Sequence, residues 1–285
     1  MVQSSAFGIL GGDKRQIYLA RSIAADGYPV WVSCLEKGEG IKELPAAGLQ
    51  ELAEKCSVIV LPLPVTRNGK TLNAPFSGEE VVLDDSFASL FSGKAVYGGM
   101  MEKLYASSEG WGSVATYDYY SREELMVGNA FLTAEGAVGM AIREYEGALN
   151  GSRCLITGFG RIGKALCLAL KGLGAQTDCC ARSAADLTAI RALGCGALRY
   201  RELSGPYDVV FNTVPAQVLT AKVLARQRPD TLFLELASQP GGIDLEAARR
   251  LKLRVLDAPS LPGRMSPRAA GELIKETIYH MIEEA

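Results

Sequence analysis

The sequence predicts an α/β protein of two doubly wound parallel-sheet domains, and three observations carry that reading. Short apolar strands alternate with helical stretches in two successive series, the pattern of parallel sheets covered on both faces. One long helical stretch separates the two series, and a glycine-rich turn opens the second. At 285 residues the chain has room for two such domains, on a prior of ~100–200 residues each.

The first series begins with an apolar strand at 6–10, a Gly11-Gly12-Asp13 turn and a helix at 14–25. A strand at 30–33 follows Gly27-Tyr28-Pro29, and a strand at 57–61 stops at Pro62-Leu63-Pro64, where proline removes ladder donors. A short helix at 85–90 and a strand at 93–97 complete it. The connecting helix covers 121–146, with Ser121 as N-cap and Glu124 closing a capping box. Gly136 and Gly139 each cost that helix roughly 1 kcal/mol, so they predict close packing against another backbone. The second series has strands at 153–157, 176–181, 209–212, 232–236 and 254–257, with a helix at 161–173 and helical segments between most of the others. Residues 259–263 read as a rigid loop, and a last helix over 266–284 returns to the first domain. The expected domains are therefore 1–128, on which 266–285 pack back, and 129–265, which includes the connecting helix.

Composition narrows the function classes. Hydrophobic residues make up 48% and charged residues 22%, with a net charge of −2. That charge gives no general attraction to phosphodiesters or anionic lipid, so nucleic-acid and membrane partners are not expected. No uninterrupted apolar run reaches the ~18–20 residues that span a bilayer. Residues 1–5 lack a basic leader region, and the apolar stretch after them breaks at Gly11-Gly12-Asp13, so a cytoplasmic protein is expected. Seven cysteines stand mostly within apolar segments without a C-x-x-C pair; they read as reduced, buried small hydrophobes. Cys179 and Cys180 are expected on opposite faces of one strand. The single histidine, His280, argues against a multi-histidine zinc site, and no metal is expected. It also leaves only a late, helix-borne candidate for histidine-based catalysis.

Gly158-Phe159-Gly160-Arg161-Ile162-Gly163 matches G-x-G-x-x-G directly after an apolar strand and at the start of a helix. Gly158 suits the tight turn, Gly160 leaves room for a pyrophosphate, and Gly163 lets helix and strand approach. Free N–H groups at the helix start bind the phosphates. This makes the second domain a Rossmann dinucleotide-binding domain. The next strand ends at Cys180-Ala181 and runs into Arg182-Ser183 rather than into an acid. A guanidinium there suits a 2′-phosphate, so NADP(H) is expected ahead of NAD(H). Asn212-Thr213-Val214-Pro215, with Ala237 and Ser238, follow later strands at the carboxyl edge and border the same crevice.

Several segments recur together in one family: Gly11-Gly12-Asp13-Lys14-Arg15-Gln16, Thr133-Ala134-Glu135-Gly136-Ala137, the Gly158–Gly163 loop, Asn212-Thr213-Val214-Pro215, Ala237-Ser238-Gln239-Pro240-Gly241-Gly242 and Ala258-Pro259-Ser260-Leu261-Pro262-Gly263. The set, spread over nearly the whole chain, resembles the dipicolinate synthase A-subunit family. That resemblance implies oxidation of dihydrodipicolinate, a lysine-pathway intermediate, to dipicolinate during sporulation, in the mother cell of a spore-forming bacterium. It implies a partner, the flavoprotein-like B-subunit of dipicolinate synthase, with FMN reaching the system only through that partner; a homo-oligomer is also open.

A substrate with two carboxylates needs cations or helix N-termini. Given the resemblance, Lys14 and Arg15 are the expected cations, oriented by Asp13 or Gln16, and Arg264 is a second carboxylate partner. Glu135 is the expected proton acceptor, facing an interdomain cleft, with Thr133 and Ser238 orienting substrate or nicotinamide. Two other readings stand beside this one: a non-catalytic NADP(H)-binding subunit, and a reductase resembling shikimate dehydrogenase. The latter needs a Lys–Asp pair in the first domain that the sequence does not place. A 2-hydroxyacid dehydrogenase would rest on a histidine that only His280 supplies.

Overall fold

The computed structural model describes residues 5–285; of the N-terminal segment read for a leader, residues 1–4 lie outside the described residues. The chain divides into two units, Met1–Gly128 with Ser266–Ala285, and Asn129–Met265.

The first unit is built from β1 (Phe7–Leu10), α1 (Lys14–Ala25), β2 (Val30–Ser33), α2 (Leu49–Lys55), β3 (Val58–Val60), α3 (Asp85–Ser89), β4 (Ala95–Gly98), α4 (Glu102–Tyr105), β5 (Ala115–Asp118) and the first residues of α5 (Glu123–Glu144). Its five strands are all parallel, in the order β2-β1-β3-β4-β5. Strand alternation sorts side chains to the two faces. Phe7, Ile9, Val58 and Val60 pack on one side with Ile17, Leu19 and Ile23 of α1. Leu10, Ile59, Leu61 and Val96 pack on the other with Leu52, Phe87, Phe91 and Trp111.

The second unit contains the remainder of α5, then β6 (Arg153–Thr157), α6 (Arg161–Gly172), β7 (Gln176–Cys180), α7 (Ala184–Ala192), β8 (Gly196–Leu198), β9 (Val209–Asn212), α8 (Ala221–Leu224), β10 (Leu232–Glu235), α9 (Leu245–Arg250), β11 (Arg254–Asp257) and α10 (Leu261–Met265). Its six parallel strands run β11-β10-β9-β6-β7-β8, the doubly wound order in which direction reverses between β6 and β9. Cys179 and Cys180 are fully buried in different core clusters, one on each face. All seven cysteines are free and buried.

The last helix, α11 (Pro267–Glu284), belongs to the first unit and lies along α1. A Cβ at Gly271 would come within 2.5 Å of the Arg15 carbonyl and 2.9 Å of the Leu19 nitrogen, so glycine sets how closely the two backbones approach. Ile274 and Ile278 join the α1 face of the core. Lys275 Nζ and Tyr279 Oη donate to Asp26 at the end of α1, at 2.7 and 3.1 Å. His280 is exposed on this helix.

Four expectations are corrected. Ser121 does not cap α5: it ends a 3₁₀ turn, its hydroxyl donates to the Asp118 carbonyl, and Glu124 accepts from Arg122 instead. Gly136 packs against side chains, Leu261 Cβ and Met265, rather than against a backbone, and Gly139 is less crowded still. Residues 261–263 are not loop but the first turn of α10. Finally, α5 is long and apolar enough to cross a membrane by length and composition alone, because its Leu, Val, Met, Phe and Ile residues are separated mainly by small uncharged ones. Half of its apolar window is buried in the protein, with Ala134, Ala137 and Ala141 in the second unit's core.

Candidate functional site

The carboxyl edge of the second unit's sheet opens into a crevice of about 590 Å³, lined by Gly158, Phe159, Gly160, Ala181, Arg182, Asp186, Tyr200, Thr213, Val214, Pro215, Ala216 and Val218. Each glycine of the loop has a distinct steric reason. Gly158 has φ +97°, and a Cβ there would meet Thr213 Oγ1 and Val214 Cγ2 at 2.7 Å. A Cβ on Gly163 would fall 2.0 Å from the Gly158 carbonyl, so only glycine lets α6 start this close to the loop. At Gly160 a Cβ would meet open space, the opening a pyrophosphate requires. Gly160 is also the N-cap of α6, a 12-residue helix, and provides no side-chain acceptor to its first turn, the kind of helix start at which anions bind. These residues fit a dinucleotide.

The remaining predicted cofactor residues separate into those in the crevice wall and those that hold it. Phe159, Arg182, Thr213, Val214 and Pro215 are in the wall. Ile162 packs on the core, and Arg161 begins α6. Ser183 is the N-cap of α7, accepting from Asp186 N at 3.0 Å, so its hydroxyl is committed to the helix start. Asn212 is wholly buried, and its side chain is spent inside the protein, which corrects its assignment as a cofactor ligand. Ala237 N donates to Glu235, and Ser238 is exposed on the loop beyond. Asp178, the acid nearest the end of β7, accepts from Tyr207 Oη at 2.9 Å and lies 3.6 Å from Arg153. Burial pushes the Tyr200 hydroxyl up to about 12, so it faces the crevice as a neutral donor.

Sequence reading named Asn212 at the centre of this edge but missed its two partners. Thr157, Asn212 and Glu235 are register partners across β6, β9 and β10. Thr157 Oγ1 donates to Asn212 Oδ1 at 2.5 Å, and Asn212 Nδ2 donates to Glu235 Oε1 at 2.6 Å. The signal was present, since each residue is the polar end of an apolar strand, but only the strand order makes them neighbours.

In the first unit, the Gly11-Gly12-Asp13 turn stands at the carboxyl edge where strand order reverses between β1 and β3. Asp13 caps α1 through Arg15 N and binds the Arg15 guanidinium with both oxygens, at 2.9 and 2.8 Å. Arg15 also donates to the Leu63 carbonyl at 2.6 Å. Burial opposes its charge, and the Asp13 carboxylate more than offsets this, holding the guanidinium pKa above its usual value. Arg15 and Asp13 therefore satisfy each other, and Gln16 is buried with its Nε2 directed to the Val60 carbonyl. The Gly12 N–H is given to the Asn73 carbonyl. Of the predicted group only Lys14 is exposed. On α5, Glu135 is exposed, whereas Thr133 is buried and its hydroxyl donates back to the Asn129 carbonyl at 2.7 Å. Arg264 is exposed, with a 3.4 Å bond to the Pro259 carbonyl.

These features define a class: a protein of two parallel-sheet α/β units whose second unit has the nicotinamide-dinucleotide-binding dehydrogenase fold. Residues 109–236 match the family model of the D-isomer specific 2-hydroxyacid dehydrogenase NAD binding domain. The same fold recurs in the transhydrogenase from Sinorhizobium meliloti, at TM-score 0.68 and 15% identity over 97% of this chain and 93% of that one. The family is more particular. Residues 6–109 match the model of the N-terminal domain of the dipicolinate synthase A-subunit. The chain is 28% identical to the dipicolinate synthase A-subunit of Bacillus subtilis (strain 168) over 297 residues, covering 100% of this chain and 98% of the relative. Crystal structures of the A-subunits from Bacillus subtilis and from Bacillus halodurans superpose at TM-scores of 0.86 and 0.83, each at 26% identity. They cover 100% and 98% of this chain, and 97% of each of theirs. Over both units, then, the chain is similar to dipicolinate synthase A-subunits.

Proposed function

We propose that this chain is the dehydrogenase-like subunit of a dipicolinate synthase, oxidising dihydrodipicolinate to dipicolinate with NADP⁺ in the cytoplasm of a sporulating cell. It would act beside a second, flavoprotein-like subunit that carries any FMN. The observation that supports this most is the likeness to the dipicolinate synthase A-subunit across both units.

The reaction balances as dihydrodipicolinate and NADP⁺ giving dipicolinate, NADPH and one proton. A nicotinamide held there would supply the hydride acceptor, and aromatisation of the ring would supply the driving force, so the protein's own residues need mainly to align the substrate and take up a proton. The Gly158–Gly163 loop and the start of α6 hold the pyrophosphate, and Arg182 receives the 2′-phosphate. Lys14 is the cation offered to a substrate carboxylate, on a turn that the Asp13–Arg15 pair keeps rigid. Glu135 is the proton acceptor, and Ser238 and Arg264 are the exposed groups left to orient substrate.

A second reading, a subunit that binds NADP(H) while its partner performs the chemistry, is favoured by one observation. The Arg15 guanidinium and the Thr133 hydroxyl are already satisfied within the protein. An absorbance assay with dihydrodipicolinate and NADP⁺, with and without the second subunit, separates the two. Nicotinamide reduction by this chain alone, with KM raised in Lys14→Ala, is the expected result. Dipicolinate formed without nucleotide reduction assigns the chemistry to the partner.

A further inference from the structure

We propose that Glu235 is a positioning residue for the dinucleotide crevice, acting as a latch that holds both ends of its 213–218 wall. The proposal rests on the reading of that crevice as the cofactor site. Glu235 ends β10, is 7% exposed, and contributes nothing to the crevice lining itself. Its carboxylate is satisfied entirely by uncharged donors. Oε1 accepts from Asn212 Nδ2 at 2.6 Å and from Ala237 N at 3.0 Å. Oε2 accepts from Gly242 N at 2.9 Å and Ile243 N at 3.2 Å.

Two routes lead from these oxygens to the wall. Through Oε1, Asn212 is fixed so that its Nδ2 donates to the Val214 carbonyl and its Oδ1 accepts from Val214 N, at 3.0 and 3.3 Å. That sets the near end of the wall. Through Oε2, Gly242 is fixed so that its carbonyl accepts from Val218 N and Leu219 N, at 3.1 and 3.0 Å. That sets the far end. The Gly241-Gly242 pair follows from the same contacts. Gly241 has φ +82° and would place a Cβ 3.0 Å from Glu235 Oε2, whereas a Cβ on Gly242 would fall 2.5 Å from the Val214 carbonyl and 2.6 Å from Asn212 Nδ2. The Gln239-Pro240-Gly241-Gly242 segment is thus shaped to wrap a carboxylate, and the crevice wall leans on the wrap.

Glutamine at 235 has nearly the same size, but one of its two oxygens becomes an N–H₂ group facing two donors. Either the Asn212 route or the Gly242 route must then open. The test measures NADPH affinity by nucleotide fluorescence, together with melting temperature, on the full-length protein. Glu235→Gln is expected to weaken NADPH binding about tenfold or more, the scale of losing charge-assisted bonds. Tyr207→Phe, which removes a buried bond to Asp178 remote from the wall, is the control; it is expected to lower the melting temperature while leaving the Kd within about twofold. A merely structural Glu235 would behave like Tyr207, with lost stability and unchanged affinity among folded molecules, and that result overturns the proposal. Gly242→Ala keeps the carboxylate itself but pushes on Asn212 and on the Val214 carbonyl, the two groups that carry its hold to the wall, so it decides the matter should Glu235→Gln fail to fold; an unchanged Kd there overturns the latch. A wild-type protein that binds neither NADPH nor NADH would instead overturn the reading of the crevice, and the latch with it.

Discussion

Two side chains of opposite charge stand in the crevice wall, Arg182 and Asp186. A guanidinium binds a 2′-phosphate with a charge-assisted fork, whereas a carboxylate accepts from a free 2′-hydroxyl. Arg182 is exposed and Asp186 half-buried, and the Asp186 N–H is held by Ser183. Arg182→Ala is expected to raise the Kd for NADPH by roughly tenfold or more, with little change for NADH; equal losses for the two nucleotides would remove the NADP assignment. Arg182 was legible in the sequence because it directly follows an apolar strand. Asp186 was not, since its place depends on α7 starting at 184 and turning it back toward the crevice. The Asp13–Arg15 pair was missed for a related reason. Asp13, read as an orienting residue, and Arg15, read as a substrate cation, bind each other once Asp13 caps the helix, and a paired charge is lost to substrate.

The packing of α1 against α11 is the clearest case of an element held by one residue type. Gly271 admits backbone contact, and Leu273, Ile274 and Ile278 follow as the apolar face. Gly271→Leu would force the helices apart and is expected to cost several kcal/mol, judging by overpacking costs of ~1–3 kcal/mol for a single buried methylene step. Denaturant unfolding of the variant followed through the first unit measures this, and an unchanged midpoint would show that the helices tolerate separation. Short strands with an apolar centre were readable: β2, β6, β9 and β11 lie where the pattern puts them. β5, with the mixed composition Ala-Thr-Tyr-Asp, and β8, only three residues long, were not, because neither is long or apolar enough to stand out as a run. The start of α5 was misread since Ser121 prefers the Asp118 carbonyl nearby, and local side-chain-to-backbone bonds compete directly with capping.

At the scale of the whole chain, the fold class and the Gly158–Gly163 loop could be read from periodicity and glycine spacing. The strand orders that make neighbours of Thr157, Asn212 and Glu235 could not. Sequence separation hides a row of residues that register alone brings together. The two units also differ in continuity: the second is one stretch, Asn129–Met265, and the first is closed only by Ser266–Ala285. Removing residues 266–285 is therefore expected to leave the second unit protease-resistant and able to retain NADPH, while the first becomes susceptible to cleavage. Equal resistance in both units would show that α11 is dispensable. The arrangement bears on how the molecule is made. On the ribosome, the strands of the first unit emerge well before α11, yet α1 has no partner for its Gly271-facing side until α11 follows the second unit. Of the two units, the one made earlier is closed later, and it must wait with that flank uncovered while the other is made and folds.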